Sequence, residues 1–193
     1  MVPGIVLVGN GRSLLSRPGF GAVIDRFERV ARFNDFRVAG FEDSVGTRTD
    51  WWIRNELPLP NPRPERFRRI LLRTRMECPL EFARTAEETI AALNDTHHGT
   101  PVELVARDVF LEMRERFPFR NAPLTGTLVV GHLLRRYAQV HVCGFDGLGG
   151  PGDAPRHYFS DTNRVDEWTD YHDPDLDARY LRERVDEGRL VVL

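Results

Sequence analysis

The chain has 193 residues, a formal net charge of −2 at pH 7 and 41% hydrophobic residues. This length suffices for one domain with a substantial core but not for two full α/β domains, so we expect a single domain over residues 1–193. No basic excess favours a nucleic-acid partner. No apolar run approaches the roughly 20 residues that span a bilayer. The composition therefore predicts a soluble protein without a membrane span.

All 27 basic residues are arginine, which indicates a GC-rich genome and favours a bacterial source. The two cysteines, Cys78 and Cys143, are too few for a disulfide framework. Cys143 lies in an apolar segment, where a free cysteine behaves as a small hydrophobic residue. A glycine turn already at Gly9 leaves no room for a signal peptide. We therefore expect a cytoplasmic protein.

Short apolar segments alternate with helical patterns along the chain, which is typical of a parallel sheet with crossover helices. Strands are predicted at 5–8, 29–33, 50–54, 69–73, 102–105, 139–143 and 190–193. Helices are predicted at 19–27, 83–93, 108–117, 126–137 and 174–187. The fold class is therefore α/β, a single Rossmann-like domain with a mainly parallel central sheet flanked by helices.

Two segments are predicted to be irregular loops. Residues 56–65 contain four prolines and must lie at the surface. Residues 147–155 are rich in Gly and Pro and follow a predicted strand. The second loop either closes over a ligand at the carboxyl ends of the strands or is a plain connector.

Polar residues follow the first two predicted strands. The first strand ends in Gly9-Asn10-Gly11, and Asn34 follows the second. Such a glycine turn brings backbone N–H groups close to a ligand, as in phosphate and nucleotide sites. An amide side chain suits a pyrimidine edge or a ribose hydroxyl. Taken singly, either asparagine is better explained by a turn or a helix cap.

A third feature is the start of the helix that follows residue 124. Thr125 is predicted to be its N-cap, with Gly126 and Thr127 in the first turn. The free N–H groups and the positive end of the helix dipole attract a phosphate. Capping and anion binding are compatible at this position.

Together these segments resemble glycosyltransferase family 29, the eukaryotic-type sialyltransferases. Residues 5–13, 24–36 and 45–49 resemble the large sialylmotif. A later segment resembles the small sialylmotif. It consists of Pro123 to Thr127 followed by Leu134, Val140, Gly144 and Phe145. His157-Tyr158-Phe159 resembles motif III. His172, five residues before Asp177, resembles the very small motif.

The resemblance implies a GT-A variant of the α/β fold and a site for a CMP-sugar. The donor-binding residues that it implies are Asn10, Gly11, Ser13, Asn34, Thr125, Gly126 and Thr127. His157 would donate to the departing phosphate, and His172 would be the general base. The activity implied is inverting, metal-independent transfer of sialic acid or a related ulosonic acid such as Kdo to an acceptor hydroxyl. The acceptor would be an unknown glycan or small molecule, with no cofactor.

Other interpretations remain open at this stage. The same site could hydrolyse a CMP-sugar with water, or bind a cytidine nucleotide without turnover. An unrelated nucleotide-binding α/β domain would show no preference for cytidine. Asp173 to Asp175 spells the Asp-X-Asp signature of metal-dependent sugar-nucleotide transferases, but helix capping explains these acids and CMP carries a single phosphate. The sequence thus predicts no metal site.

Overall fold

The structure is a computed structural model of the chain. It describes residues 1–57, 63–74, 76, 79–120, 122–146, 157–159 and 172–193, with the backbone alone described at 79–83. The whole predicted loop at 147–155 and the centre of the loop at 56–65 therefore lie outside the described residues.

Seven strands form one sheet in which all neighbouring pairs are parallel. The strands are β1 (Val2–Val8), β2 (Phe27–Phe33), β3 (Trp51–Asn55), β4 (Arg69–Arg73), β5 (Val102–Leu104), β6 (Val140–Cys143) and β7 (Leu190–Val192). Their order across the sheet is β5-β4-β3-β2-β1-β6-β7. All seven predicted strands are present, and the predicted α/β class with a parallel sheet is confirmed.

Six α-helices lie in the part of the chain that the structure describes. They are α1 (Phe20–Ile24), α2 (Glu42–Val45), α3 (Pro79–Thr96), α4 (Arg107–Arg116), α5 (Thr125–Leu133) and α6 (Pro174–Asp186). A 3-10 turn covers Arg12–Ser16. The prediction missed this turn and α2, since each is only one turn long. None of the described helices is long and apolar enough to cross a membrane.

The strand residues alternate between two faces of the sheet. On one face, side chains such as Leu7 and Ile53 pack with α4, α5 and α6 through residues that include Val109 and Leu128. The other face packs against the 3-10 turn and helices α1 and α2 around β1 and β2. It packs against Leu93 of α3 around β3 and β4. Burial of both faces explains why the strands read as nearly continuous apolar runs.

The segment at 45–49 is fixed by a buried guanidinium. Arg32 of β2 is 1% exposed, and its Nη2 donates to the carbonyl of Val45 at 2.6 Å. Its Nε donates to the carbonyl of Arg48 at 3.0 Å. The carboxylate of Asp25 accepts the N–H of Arg48 at 3.0 Å. This part of the large-motif pattern therefore ties β2 to the segment that enters β3.

Candidate functional site

The centre of the sheet has the geometry of a ligand crevice. β1 lies between β2 and β6. The chain leaves β1 toward β2 on one side, whereas it leaves β6 toward β7 on the other. In open α/β sheets, ligands bind beyond the carboxyl ends of the strands at such a reversal. The turn after β1 and the turn after β6 lie at this point.

The glycine turn packs directly on the turn after β6. The N–H of Gly9 donates to the carbonyl of Cys143 at 2.8 Å, and that of Gly11 to Gly144 at 3.0 Å. A Cβ at Gly9 would lie 2.2 Å from the carbonyl oxygen of Gly144, and one at Gly11 would lie 2.3 Å from Asp146 Oδ1. The two glycines are therefore required for this backbone contact. The N–H of Gly9 bonds the end of β6 and that of Gly11 bonds the turn after it, so neither points at a ligand.

Ser13 is held by a carboxylate that the sequence analysis did not single out. Its N–H donates to Asp146 Oδ2 at 3.1 Å, and its hydroxyl donates to Oδ1 of the same residue. Asp146 comes three residues after β6. The sequence did place an acidic residue shortly after a predicted strand. Because the carboxyl ends of parallel strands lie at the same edge of the sheet, this position could have indicated that Asp146 lies near the turn after β1.

Asn10 joins the glycine turn to two other segments. Its amide Nδ2 donates to the carbonyl of Phe33 at the end of β2, at 3.3 Å. Its own carbonyl accepts the N–H of Tyr158 at 2.9 Å. His157 therefore belongs to a segment that runs beside Asn10, and its ring lies 5.2 Å from that of Phe159 between centroids.

Asn34 occupies a left-handed backbone conformation, with φ of 45°. Asparagine tolerates this conformation better than most residues. Its Oδ1 accepts the N–H of Asn55 at 3.0 Å, and its carbonyl accepts Trp52 Nε1 at 3.0 Å. Its amide Nδ2 is the part of the side chain outside these bonds. Asn55, which ends β3, was missed although it obeys the same end-of-strand pattern as Asn10 and Asn34.

Helix α5 begins at Thr125, so the prediction of Thr125 as N-cap is wrong. Leu124 is the N-cap residue, and it makes no side-chain cap bond. Its N–H instead donates to Asp177 Oδ1 of α6 at 3.0 Å. A carboxylate from a distant helix therefore fixes the start of α5. Thr127 is 1% exposed as a whole residue, so its hydroxyl is not open to a ligand at the surface.

Phe145 connects the start of α5 with the glycine turn. A Cβ at Gly126 would lie 3.0 Å from Phe145 Cε1, and one at Gly9 would lie 3.0 Å from Phe145 Cδ2. The Phe145 ring also meets Phe33 edge to face, with 5.7 Å between centroids. The Phe145 ring thus lies between the glycine turn, the end of β2 and the start of α5, and contacts all three.

His172 lies immediately before α6 and beside the segment that leads into α5. Its Nδ1 is 3.0 Å from the carbonyl oxygen of Ala122. A carbonyl can only accept, so Nδ1 carries the proton of the neutral ring and Nε2 carries the lone pair. The carboxylate of Asp173 accepts the N–H of Arg120 at 2.8 Å and makes no cap bond to α6. Helix capping therefore does not account for Asp173.

The contacts place the predicted residues at one edge of the sheet. Asn10 bonds to Phe33, Asn34 follows Phe33, and Phe145 packs against Phe33 and the start of α5. His172 bonds to Ala122, two residues before the N-cap of α5. Among the described ranges, no group of three or more His, Cys, Asp or Glu side chains could hold a metal ion.

Asp177 is 2% exposed, and burial raises the pKa of its carboxyl to about 7 from 3.8, with Asp173 adding to the rise. Between pH 4 and about 7 the carboxyl is therefore ionised in the unfolded state but still largely protonated in the folded state. Raising the pH over this range stabilises the unfolded state relative to the folded state. The free energy of unfolding of the native protein, relative to Asp177→Asn, should fall over this range by up to roughly 1.4 kcal/mol per pH unit and then level off.

Urea denaturation at pH 5 and pH 8 measures this difference. The exposed Asp175 on the same helix turn supplies the matched control, since Asp175→Asn should show no such pH dependence. An unchanged difference between native protein and Asp177→Asn at the two pH values would contradict the burial of an ionisable carboxyl here.

Comparison with known proteins agrees with this geometry. The model of glycosyltransferase family 29 (sialyltransferase) matches residues 5–63. A mammalian sialyltransferase in complex with Gal-beta-1-3GalNAc-ortho-nitrophenol matches with a TM-score of 0.69 at 20% identity, over 100% of this chain and 69% of that chain. A second mammalian sialyltransferase structure matches with a TM-score of 0.66 at 18% identity, over 98% of this chain and 68% of that chain. No curated protein sequence matches the chain significantly.

At these identities the structural matches show the fold, which is GT-A-like. The family match is a similarity to glycosyltransferases over residues 5–63, the part of the chain that holds most of β1 and all of β2 and β3. The resemblance predicted from the sequence motifs is thereby confirmed.

Proposed function

Given this relationship to glycosyltransferase family 29, we propose that the chain transfers sialic acid or a related ulosonic acid, such as Kdo, from a CMP-sugar to an acceptor hydroxyl. The reaction inverts the anomeric centre and needs no metal. The acceptor is a glycan or small molecule. The observation that carries the proposal is that the Phe145 ring packs against Phe33 and lies beside Gly9 and Gly126. These contacts bring the segments of Asn10, Asn34 and the start of α5 together, and His172 bonds to Ala122, two residues before the N-cap of α5.

The two asparagines hold the nucleoside. Asn10 is half-buried, and its bond to Phe33 orients its amide at the crevice. Asn34 is oriented by Asn55, which occupies its Oδ1 and leaves Nδ2 as the donor. An amide donor suits the acceptors of a cytosine or a ribose. Gly11 and Ser13 support this arrangement through their bonds to the turn after β6.

The phosphate lies at the start of α5. The first N–H groups of a helix have no partner within that helix, and the dipole favours an anion there. Thr125, Gly126 and Thr127 supply these groups in a helix of nine residues. The absence of a side chain at Gly126 lets Phe145 pack close. His157, beside Asn10, donates to the phosphate as CMP leaves.

His172 deprotonates the acceptor hydroxyl. The bond from Nδ1 to Ala122 fixes the ring and presents Nε2 as the proton acceptor. The hydroxyl oxygen then attacks the anomeric carbon, the bond to the CMP phosphate oxygen breaks, and the proton stays on His172. Positioning of the two substrates supplies much of the remaining rate.

The test is CMP release from CMP-sialic acid and CMP-Kdo in the presence of EDTA, with and without candidate acceptor sugars. We expect release that rises with acceptor and a transferred product, and no competition by UMP at concentrations where CMP competes. Release without any transferred product would assign the activity to hydrolysis. CMP binding without release would assign a non-catalytic role, and release only after a divalent metal is restored would overturn the metal-free mechanism.

A further inference from the structure

A cavity of about 140 Å³ lies between α4, α5 and α6, away from the candidate functional site. Its lining includes Arg116, Arg135, Tyr180, Arg184 and Arg189. Arg189 immediately precedes β7, and Leu134 and Arg135 follow α5, so the cavity lies toward the amino edge of the sheet. The candidate site lies at the carboxyl edge. The volume is several times the roughly 15 Å³ that one water needs.

One guanidinium in this lining is buried and incompletely bonded. The side chain of Arg184 is 8% exposed and pairs with Glu187 at 2.9 Å. Its Nε is buried and has no hydrogen-bond partner within the residues that the structure describes. A buried donor without a partner costs free energy, and a bound acceptor would recover it.

A second guanidinium has no acidic partner. Arg189 donates through Nη2 to the carbonyl of Leu134, and no carboxylate of the described ranges forms an ion pair with it. By contrast, Arg116 pairs with Glu183 at 3.1 Å and Arg135 with Asp108 at 2.7 Å. Arg189 therefore contributes a positive charge that the surrounding side chains leave uncompensated.

A hydroxyl donor completes the lining. Tyr180 is 7% exposed, and a Cβ at Gly131 would lie 2.9 Å from its Oη. Burial raises the pKa of the Tyr180 hydroxyl, so it stays protonated and can donate. The polar side chains that line the cavity are thus mostly hydrogen-bond donors, four arginines and Tyr180. Glu112 is the one acidic side chain among the lining residues.

We propose that this cavity binds a small oxyanion of the size of a phosphate group, contacted by Arg184, Arg189 and Tyr180. Guanidinium groups bind phosphate through short, charge-assisted hydrogen bonds. The proposal does not depend on the activity at the other edge of the sheet.

Inorganic phosphate is the probe, against chloride at equal ionic strength, with CMP in excess so that any phosphate site at the carboxyl edge is occupied. At ten times Kd, phosphate should raise the Tm of the native protein by roughly 3–6 °C. Titration calorimetry should show phosphate binding weakened about tenfold or more in Arg189→Gln, and weakened in Tyr180→Phe. Arg179→Gln is the matched control, because it removes one positive charge, as Arg189→Gln does, but Arg179 does not line the cavity.

Both test variants alter one polar group each and can be checked for folding by their Tm without phosphate. Equal phosphate affinity in native protein, Arg189→Gln and Tyr180→Phe would place the anion elsewhere and overturn the proposal. A Tm shift no larger in phosphate than in chloride would also overturn it.

Discussion

Replacement of His172 by alanine is expected to lower kcat for CMP release by roughly 10²–10⁴-fold, the range that a general base contributes. The variant removes Nε2, the proton acceptor of the proposed mechanism, together with the bond from Nδ1 to Ala122. The Tm should change little, because His172 lies just outside α6. Initial rates at saturating donor and acceptor, with a thermal melt of each variant, measure both effects.

Two further variants separate catalysis from support of the fold. His172→Gln retains a side-chain donor for the carbonyl of Ala122 but cannot take a proton, so its kcat should fall like that of the alanine variant. His98→Ala removes an exposed histidine from the turn after α3 and should keep full activity. Native kcat in His172→Ala would remove this residue from the proposed mechanism.

Replacement of Gly9 by alanine is expected to destabilise the protein by about 3 kcal/mol, near the upper end for overpacking. The new Cβ would lie 2.2 Å from the carbonyl oxygen of Gly144 and 2.9 Å from its carbon. Both obstacles are backbone atoms, so relief requires β1 and β6 to separate at their carboxyl ends. Chemical denaturation measures the loss directly, and a Tm lower by roughly 6–12 °C should accompany it.

Gly126→Ala is the matched control for this prediction. The closest atom to its Cβ is Phe145 Cε1 at 3.0 Å, which is part of a side chain. Alanine also favours helix more than glycine does. The stability of Gly126→Ala should therefore change much less than that of Gly9→Ala. Equal stability of the two variants would contradict the close backbone contact after β1.

Local patterns were sufficient to predict the strands and the main helices. The strands are apolar because both faces of the sheet are covered, and the helices from α3 onward are long enough to show a periodic pattern. Asn10 and Asn34 could be placed at one edge from the sequence, because parallel strands end on the same side. The short α2 offered no comparable signal.

Long-range partners could not be predicted. The cap of α5 depends on Asp177, 53 residues from Leu124, so the local preference of Thr125 for the N-cap position was misleading. Ser13 meets Asp146 across 133 residues. Such contacts follow from the packing of the sheet and not from the spacing of residues along the chain. The positions of Asp146 and Asn55 after strands were visible in the sequence, but their partners Ser13 and Asn34 were not.

The position of β1 has a consequence for the order of assembly during synthesis. β1 is synthesised before every other strand of the sheet, yet one of its two neighbours is β6, with Val6 opposite His141. Until the ribosome has released residues up to about 143, one side of β1 offers unpaired N–H and C=O groups. Nascent chains that stall before that point should therefore be prone to intermolecular strand pairing, and folding should be slow compared with proteins of mostly local contacts.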